Sequence, residues 1–157
     1  MKWLITGANG MVGSALATRL ESAGEDVVRA SHSDLDITSL AAVRDIVETT
    51  RPDAIVNCAA FTQVDDCESR EEEATRVNGT AVGHLAGAAN DALLVQISTD
   101  FVFDGAKRTP YVEEDPVAPL SAYGRSKLGG EVEAARAREH LIVRTSWVFG
   151  AGGANFV

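Results

Sequence analysis

Three glycines at intervals of three, Gly7, Gly10 and Gly13 in ITGANGMVG, follow a short apolar run and open a helical pattern. No other stretch limits the fold so strongly. A strand that turns through glycines into a helix is the first half of a βαβ unit, and each glycine has its own task there. The first allows a tight turn, the middle one lets backbone approach a pyrophosphate, and the third lets helix pack close to strand. The helix amino end then supplies free N–H groups and roughly half a positive charge to phosphates. The spacing is GxxGxxG rather than the commoner GxGxxG. Its placement between a strand and an amphipathic helix is what makes it a dinucleotide signal.

The rest of the chain continues the alternation. Strand-length apolar runs recur at 3–5, 26–30, 54–60, 93–98 and 141–149. Being continuous rather than alternating, they predict strands buried on both faces. Between them lie helical patterns: Val12, Leu16 and Leu20; Leu40, Val43 and Val47; then Ala74, Val77, Ala81, Leu85 and Ala88 on one stripe. This predicts one Rossmann-type α/β domain over 1–157, a doubly wound parallel sheet with helices on both faces. The one irregular stretch, 105–121, carries Pro110, Pro116 and Pro119 and follows a strand's carboxyl end, the edge at which open α/β sheets bind ligands.

Charge narrows the ligands. A net charge of -9 argues against a nucleic-acid or anionic-membrane partner, which calls for clustered Lys and Arg. No apolar segment approaches the roughly 20 residues that span a bilayer. Cys58 and Cys67 are too few for a disulfide framework, and no secretory apolar region precedes the first strand, so a reducing cytoplasm is expected. Cys58 reads as a small buried side chain, and the acidic run from Asp65 to Glu73 as a solvated helix face. His32, His84 and His140 lack metal-ligand spacing, and Ser14 and Ala15 after the glycine turn offer no carboxylate, so no catalytic metal is expected.

A dinucleotide site that prefers NAD places Asp or Glu just after the second strand, where it bonds the ribose 2′-OH and repels a 2′-phosphate. Here Ser31 and His32 stand at that strand end, with Arg29 before them. The reading tilts toward NADP, with NAD still open because Asp34 and Asp36 follow closely. Asp36 and Ile37 alternatively border the adenine.

Two further groups carry chemistry. Tyr123 and Lys127 are four residues apart, so on a helix phenol and ammonium share a face. A close cation can lower a phenol's pKa from near 10 toward neutrality, and Lys127 is the expected cation; the bland alternative is a surface pair. Ser98, Thr99 and Asp100 end a strand in polar groups that can bond and polarise a carbonyl, or simply cap the next turn. A dinucleotide turn, a strand-end hydroxyl and a Tyr–Lys pair in that order make chance a poor account of all three.

With ITGANGMVG, SDLDITS, RPDAIVNCAAFTQVDDCE, VNGTAV, ISTDFVFDG, YGRSKLGGE and RTSWVFG taken together, the chain resembles an extended short-chain dehydrogenase/reductase. STDFVFDG and RTSWVFG are most similar to the branch of dTDP-4-dehydrorhamnose reductases. The resemblance implies Thr99, Tyr123 and Lys127 as catalytic residues in reduction of a dTDP-4-keto sugar by NAD(P)H: hydride goes to C4, Tyr123 gives the proton, and Lys127 also bonds the nicotinamide ribose. It further implies Gly10, Met11 and Val12 at the pyrophosphate, Asp36 and Ile37 at the adenine, and Ala59, Ala60 and Phe61 along the cofactor's middle. Asp100 and Trp147 would touch the sugar nucleotide; the alternative for Trp147 is a core aromatic. Members of the branch run to nearly twice this length. Residues 1–157 are therefore expected to be the cofactor domain, entering a helix at GAGGANFV, without the smaller carboxyl-terminal substrate region. A homodimer stays open. So do two rival readings: a dinucleotide-binding regulatory subunit, and an epimerase or dehydratase that returns its nicotinamide unchanged.

Overall fold

The computed structural model describes residues 1–150, so most of the helix expected at GAGGANFV lies outside the described residues. Five parallel strands, β1 (Lys2–Thr6), β2 (Asp26–Ala30), β3 (Ala54–Asn57), β4 (Leu93–Thr99) and β5 (His140–Thr145), lie in the order β2-β1-β3-β4-β5. Six α-helices connect them: α1 (Met11–Ser22), α2 (Leu40–Thr50), α3 (Val64–Ser69), α4 (Glu71–Thr75), α5 (Ala81–Ala88) and α6 (Ala122–Ala134). This is the doubly wound Rossmann-like sheet that the alternation predicts. The order reverses between β1 and β3, and a crevice opens above such a reversal.

Right-handed crossovers put α2, α5 and α6 on one face, where α5 contacts both others, and α1 on the opposite face. The larger core packs Val43, Val47, Val82 and Leu85 onto Leu4, Ile55 and Leu94. The smaller core sets Ala17 against Ile5 and Val56. Burial on both faces is therefore a property of the centre: β3 is buried throughout, whereas edge strand β5 leaves Leu141 51% exposed.

Three of the expected runs end earlier or break. β3 stops at Asn57 because β1 ends opposite it at Thr6. β5 stops at Thr145, paired with the last residue of β4, so residues 146–149 are not strand. The single stripe predicted from Ala74 to Ala88 is interrupted by a π-helical turn, Arg76–Thr80. That widened turn swings Asn78 inward. Its side chain accepts from the Phe61 N–H (2.8 Å), donates to the Phe61 carbonyl (2.9 Å) and donates to the Ser126 hydroxyl (2.9 Å).

Beneath the crevice, buried polar side chains tie three strands together. Thr6 donates to Asn57 (2.6 Å), Asn57 donates to Gln96 (2.8 Å), and Gln96 donates to the Ile97 carbonyl (2.9 Å). Each group would be costly to bury alone; linked in a row, each has a partner.

Candidate active site

The glycine turn separates what the fold needs from what a ligand needs. Gly7 has φ +63°, and a Cβ there would lie 2.6 Å from the Ala59 nitrogen; one at Gly13 would lie 2.4 Å from the Gly7 carbonyl oxygen. Side chains at these two positions are excluded by packing. A Cβ at Gly10 would meet only the Gly7 oxygen, at 3.2 Å, and otherwise point into open space. Backbone N–H groups at the start of α1 have no side-chain cap and no acidic residue in the first turn. This is the geometry that receives a diphosphate.

Two hollows meet at that turn. One, of about 520 Å³, is lined by Gly10, Met11, Val12, Gly13, Tyr123 and Lys127, with Asn57, Cys58, Ile97, Ser98 and Thr145 as well. The other, of about 240 Å³, is lined by Gly7, His32, Asp36, Ile37, Ala59 and Ala60 among others. Both include Gly10, Cys58 and Ala60, so they form one groove across the switch point. A hollow of about 660 Å³ near Val47 and Asp91 opens at the opposite edge of the sheet, away from these groups.

Five of the expected site residues do not line the groove. Ser31 is buried and turned away, its hydroxyl donating to Asp34 (2.5 Å). The Phe61 ring lies under the Arg70 guanidinium at 4.8 Å, while its backbone is clamped by Asn78. Thr99 accepts from the Phe101 N–H and donates to Asp100, both at 3.2 Å, capping a 3₁₀ turn over Asp100–Val102. Asp100 also accepts from the Ser146 hydroxyl at 2.6 Å. Trp147 is 76% exposed with φ +53°, which rules out the core-aromatic alternative. Arg29 forks onto Glu21 (2.7 and 2.8 Å) and Thr18 (3.0 Å), committing its donors along α1.

The irregular stretch after β4 is tightly organised. Phe103 and Tyr111 stack at 4.2 Å, Tyr111 donates to Asp104 (2.8 Å), and Lys107 pairs with Asp115. Acidic residues after β3 are partly engaged rather than only solvated. Glu68 accepts from the Ala122 N–H and Glu71 from Arg125, so both steady the first turn of α6.

A family model described as the RmlD substrate binding domain matches residues 1–157. The chain belongs to this family. It is 48% identical over its whole length to a dTDP-4-dehydrorhamnose reductase of Burkholderia thailandensis, covering 53% of that protein. It is 44% identical to a dTDP-4-keto-6-deoxy-D-glucose reductase of Streptomyces niveus, with 99% of this chain and 56% of that one aligned. The crystal structure of a dTDP-4-dehydrorhamnose reductase from Bacillus anthracis in complex with NADP superposes with TM-score 0.95 at 38% identity, over 99% of this chain and 56% of that one. The chain spans about half the length of the curated relatives it matches. The extended short-chain dehydrogenase/reductase motifs thus belong to an RmlD-family chain.

In this RmlD-family cleft the largest influence on the Tyr123 phenol is burial. Burial raises the Tyr123 pKa above its usual value, against a lowering by the nearby Thr99 hydroxyl, and Asp100 and Cys67 raise it further. The Lys127 ammonium is 4% exposed and donates to the Ile97 carbonyl at 2.6 Å. Its own pKa is pushed down to about 8 by burial, with Glu131 and Cys58 pulling the other way. Cys58 is half-buried in the floor of the groove, its thiol pushed up to about 11 by burial, so it is protonated and unreactive near neutrality.

The sequence pattern singles out neither Asn57 and Asn78 nor the link of Ser98 to Glu131 and Arg144. Asn57 carried a signal, a polar residue closing an apolar strand. Asn78 acts through a π turn, which leaves no periodicity to read. Among the described residues, no group of three His, Cys, Asp or Glu side chains is placed to hold a metal, and no helix is long and apolar enough to cross a membrane.

Proposed function

We propose that the chain is the cofactor-binding half of an NADPH-dependent reductase acting on the 4-keto group of a dTDP-6-deoxy sugar, with dTDP-4-dehydro-L-rhamnose as the favoured substrate. The observation that carries this reading is the continuous groove from the glycine turn to Tyr123 and Lys127. Its Gly10 position is open, so a diphosphate fits where a side chain would stand. Relatives above 40% identity named as dTDP-4-keto-sugar reductases, and the NADP complex of another, supply the substrate and cofactor class.

In this reading the N–H groups of Met11, Val12 and Gly13 hold the diphosphate, Asp36 and Ile37 border the adenine, and Ala59 and Ala60 line the middle. The reduced nicotinamide supplies the hydride for C4 when bound. Tyr123 keeps its proton near neutrality because burial raises its pKa, the state a donor to the forming alkoxide needs. Thr99 sits close enough to influence that phenol and is the candidate to hold the carbonyl oxygen. Lys127 brings a mostly charged ammonium to the same wall and bonds the nicotinamide ribose. Asp100 and Trp147 face the sugar nucleotide at the rim.

Calorimetric titration of the chain with NADPH and NADH tests the cofactor reading. Binding of NADPH is expected, and heat indistinguishable from dilution for both would refute it. Net oxidation of NADPH by dTDP-4-dehydro-L-rhamnose in a protein containing this half, lost in Tyr123→Phe while NADPH affinity stays within a few-fold, tests the chemistry. Retained turnover in that variant would remove Tyr123 as the donor.

A further inference from the structure

A buried acid four residues beyond Lys127 has no role in the mechanism above. Glu131 is 4% exposed. Its Oε1 accepts from the Ser98 hydroxyl at 2.5 Å and from Arg144 Nε at 2.9 Å; its Oε2 accepts from Arg144 at 2.7 Å. Arg144 in turn lies over the Phe103 ring at 5.0 Å and donates to the Glu113 carbonyl at 3.4 Å. One carboxylate thus joins α6, β4, β5 and the organised stretch after β4.

The neighbouring cation has the complementary problem. Lys127 reaches the carbonyl of Ile97, the residue beside Ser98, and among the described ion pairs none involves it. A buried ammonium without a nearby anion is strongly unfavourable, and one hydrogen bond to a carbonyl does not replace the lost hydration. Acids on α6 and the elements packed against it include Glu68, bonded to the Ala122 N–H, Glu71, paired with Arg125, Glu133, paired with Arg136, and Asp100, bonded to Thr99 and Ser146; among the described residues Glu131 is the acid that is itself buried. The titratable groups facing the ammonium are the Cys58 thiol, which is neutral, the Tyr123 phenol in the same hollow, and Glu131 one helical turn on; the Arg144 guanidinium stands behind Glu131. Glu131 is the anion available to it.

We propose that Glu131 is a positioning residue. Fixed by Ser98 and Arg144, its carboxylate supplies the counter-charge that keeps the Lys127 ammonium protonated inside the cleft and aimed along the carboxyl end of β4. This deepens the reading of Lys127 as a working residue. Glu131 itself stays behind the wall, and Arg144 prevents it from collapsing onto Lys127 and drawing the ammonium away from the groove.

The test needs neither cofactor nor turnover, so its failure is separate from failure of the reductase reading. Lys2, Lys107 and Lys127 are the chain's lysines, so side-chain NMR resolves their ε-methylene titrations, with Lys127→Arg identifying the buried one. In Glu131→Gln the Lys127 midpoint is expected to fall by about one pH unit or more, the usual effect of losing a close opposite charge, while Lys2 and Lys107 stay in place. A folded Glu131→Gln chain with an unmoved Lys127 midpoint would overturn the proposal, since a purely structural role predicts that. Should Glu131→Gln be too unstable to titrate, Lys127→Met is added. The double variant is then expected to recover part of the lost stability, the part owed to the uncompensated ammonium, while the part owed to the Arg144 pair stays lost; a double variant as unstable as the single one overturns the proposal equally.

Discussion

The groove and the rim beyond it are built from different materials. Around the glycine turn the walls are backbone, in contacts so close that Gly7 and Gly13 cannot carry a Cβ. At the rim above β4 and β5 the proposed substrate contacts, Thr99, Asp100 and Trp147, are side chains, and Trp147 stands 76% exposed. A cofactor shared by many enzymes is met by what every residue has, the peptide group. A particular sugar is met by what distinguishes residues. The first kind of site tolerates almost no substitution, and the second can be rewritten without endangering the fold.

The comparison breaks most visibly at Gly13. Gly13→Val should destabilise the chain by about 3 kcal/mol or more through overpacking against the Gly7 carbonyl, read from the urea midpoint. Stability within 1 kcal/mol of the parent would show that the turn has room to relax. Gly10→Val, three residues earlier, should leave stability within about 1 kcal/mol yet weaken NADPH at least tenfold, because its side chain points into the proposed diphosphate position. Unchanged calorimetric affinity would remove Gly10 from the site.

Lys127 sharpens the contrast through pH. Its folded pKa, about 8, lies below the ordinary 10.5, so between those values the unfolded chain binds the extra proton. The cost of burying the ammonium is present below pH 8 and disappears as pH rises toward 10.5, so stability should gain up to about 3 kcal/mol across that window. The raised Tyr123 and Cys58 act in the opposite sense there. The gain is therefore read as the difference in urea midpoint between the parent and Lys127→Met on the Cys58→Ala background, in which the Tyr123 contribution cancels and the thiol that couples to Lys127 is removed. An identical pH dependence in both chains would contradict the depressed value. Smallest of all, Trp147→Ala at the exposed rim should change stability by less than about 1 kcal/mol while weakening the sugar nucleotide. A larger loss of stability would make it part of the framework.

What sequence made legible follows the same division. The strand–glycine–helix start, the alternation and the Tyr123/Lys127 spacing are local patterns, and each has its counterpart in the structure. The extents of β3 and β5 were overestimated because a strand ends where its neighbour ends, which no apolar run records. Helical spacing alone offers Lys127 as Tyr123's cation. Shared facing brings two groups to one wall, but burial sets the direction in which each is shifted, and part of what surrounds Lys127, the Ile97 carbonyl, comes from β4, thirty residues away. Asn78 and Glu131 escaped notice for a related reason: their partners Phe61, Ser126, Ser98 and Arg144 meet only in three dimensions.

The row of side chains Thr6, Asn57 and Gln96 has a mechanical meaning. Neighbouring parallel strands can shear past one another with modest loss, but here a slip of β1 on β3 would tear the Thr6–Asn57 link and a slip of β3 on β4 the Asn57–Gln96 link, both buried. The bed of the groove is thus a single plate, and whatever opening and closing accompanies ligand exchange must be carried by its banks.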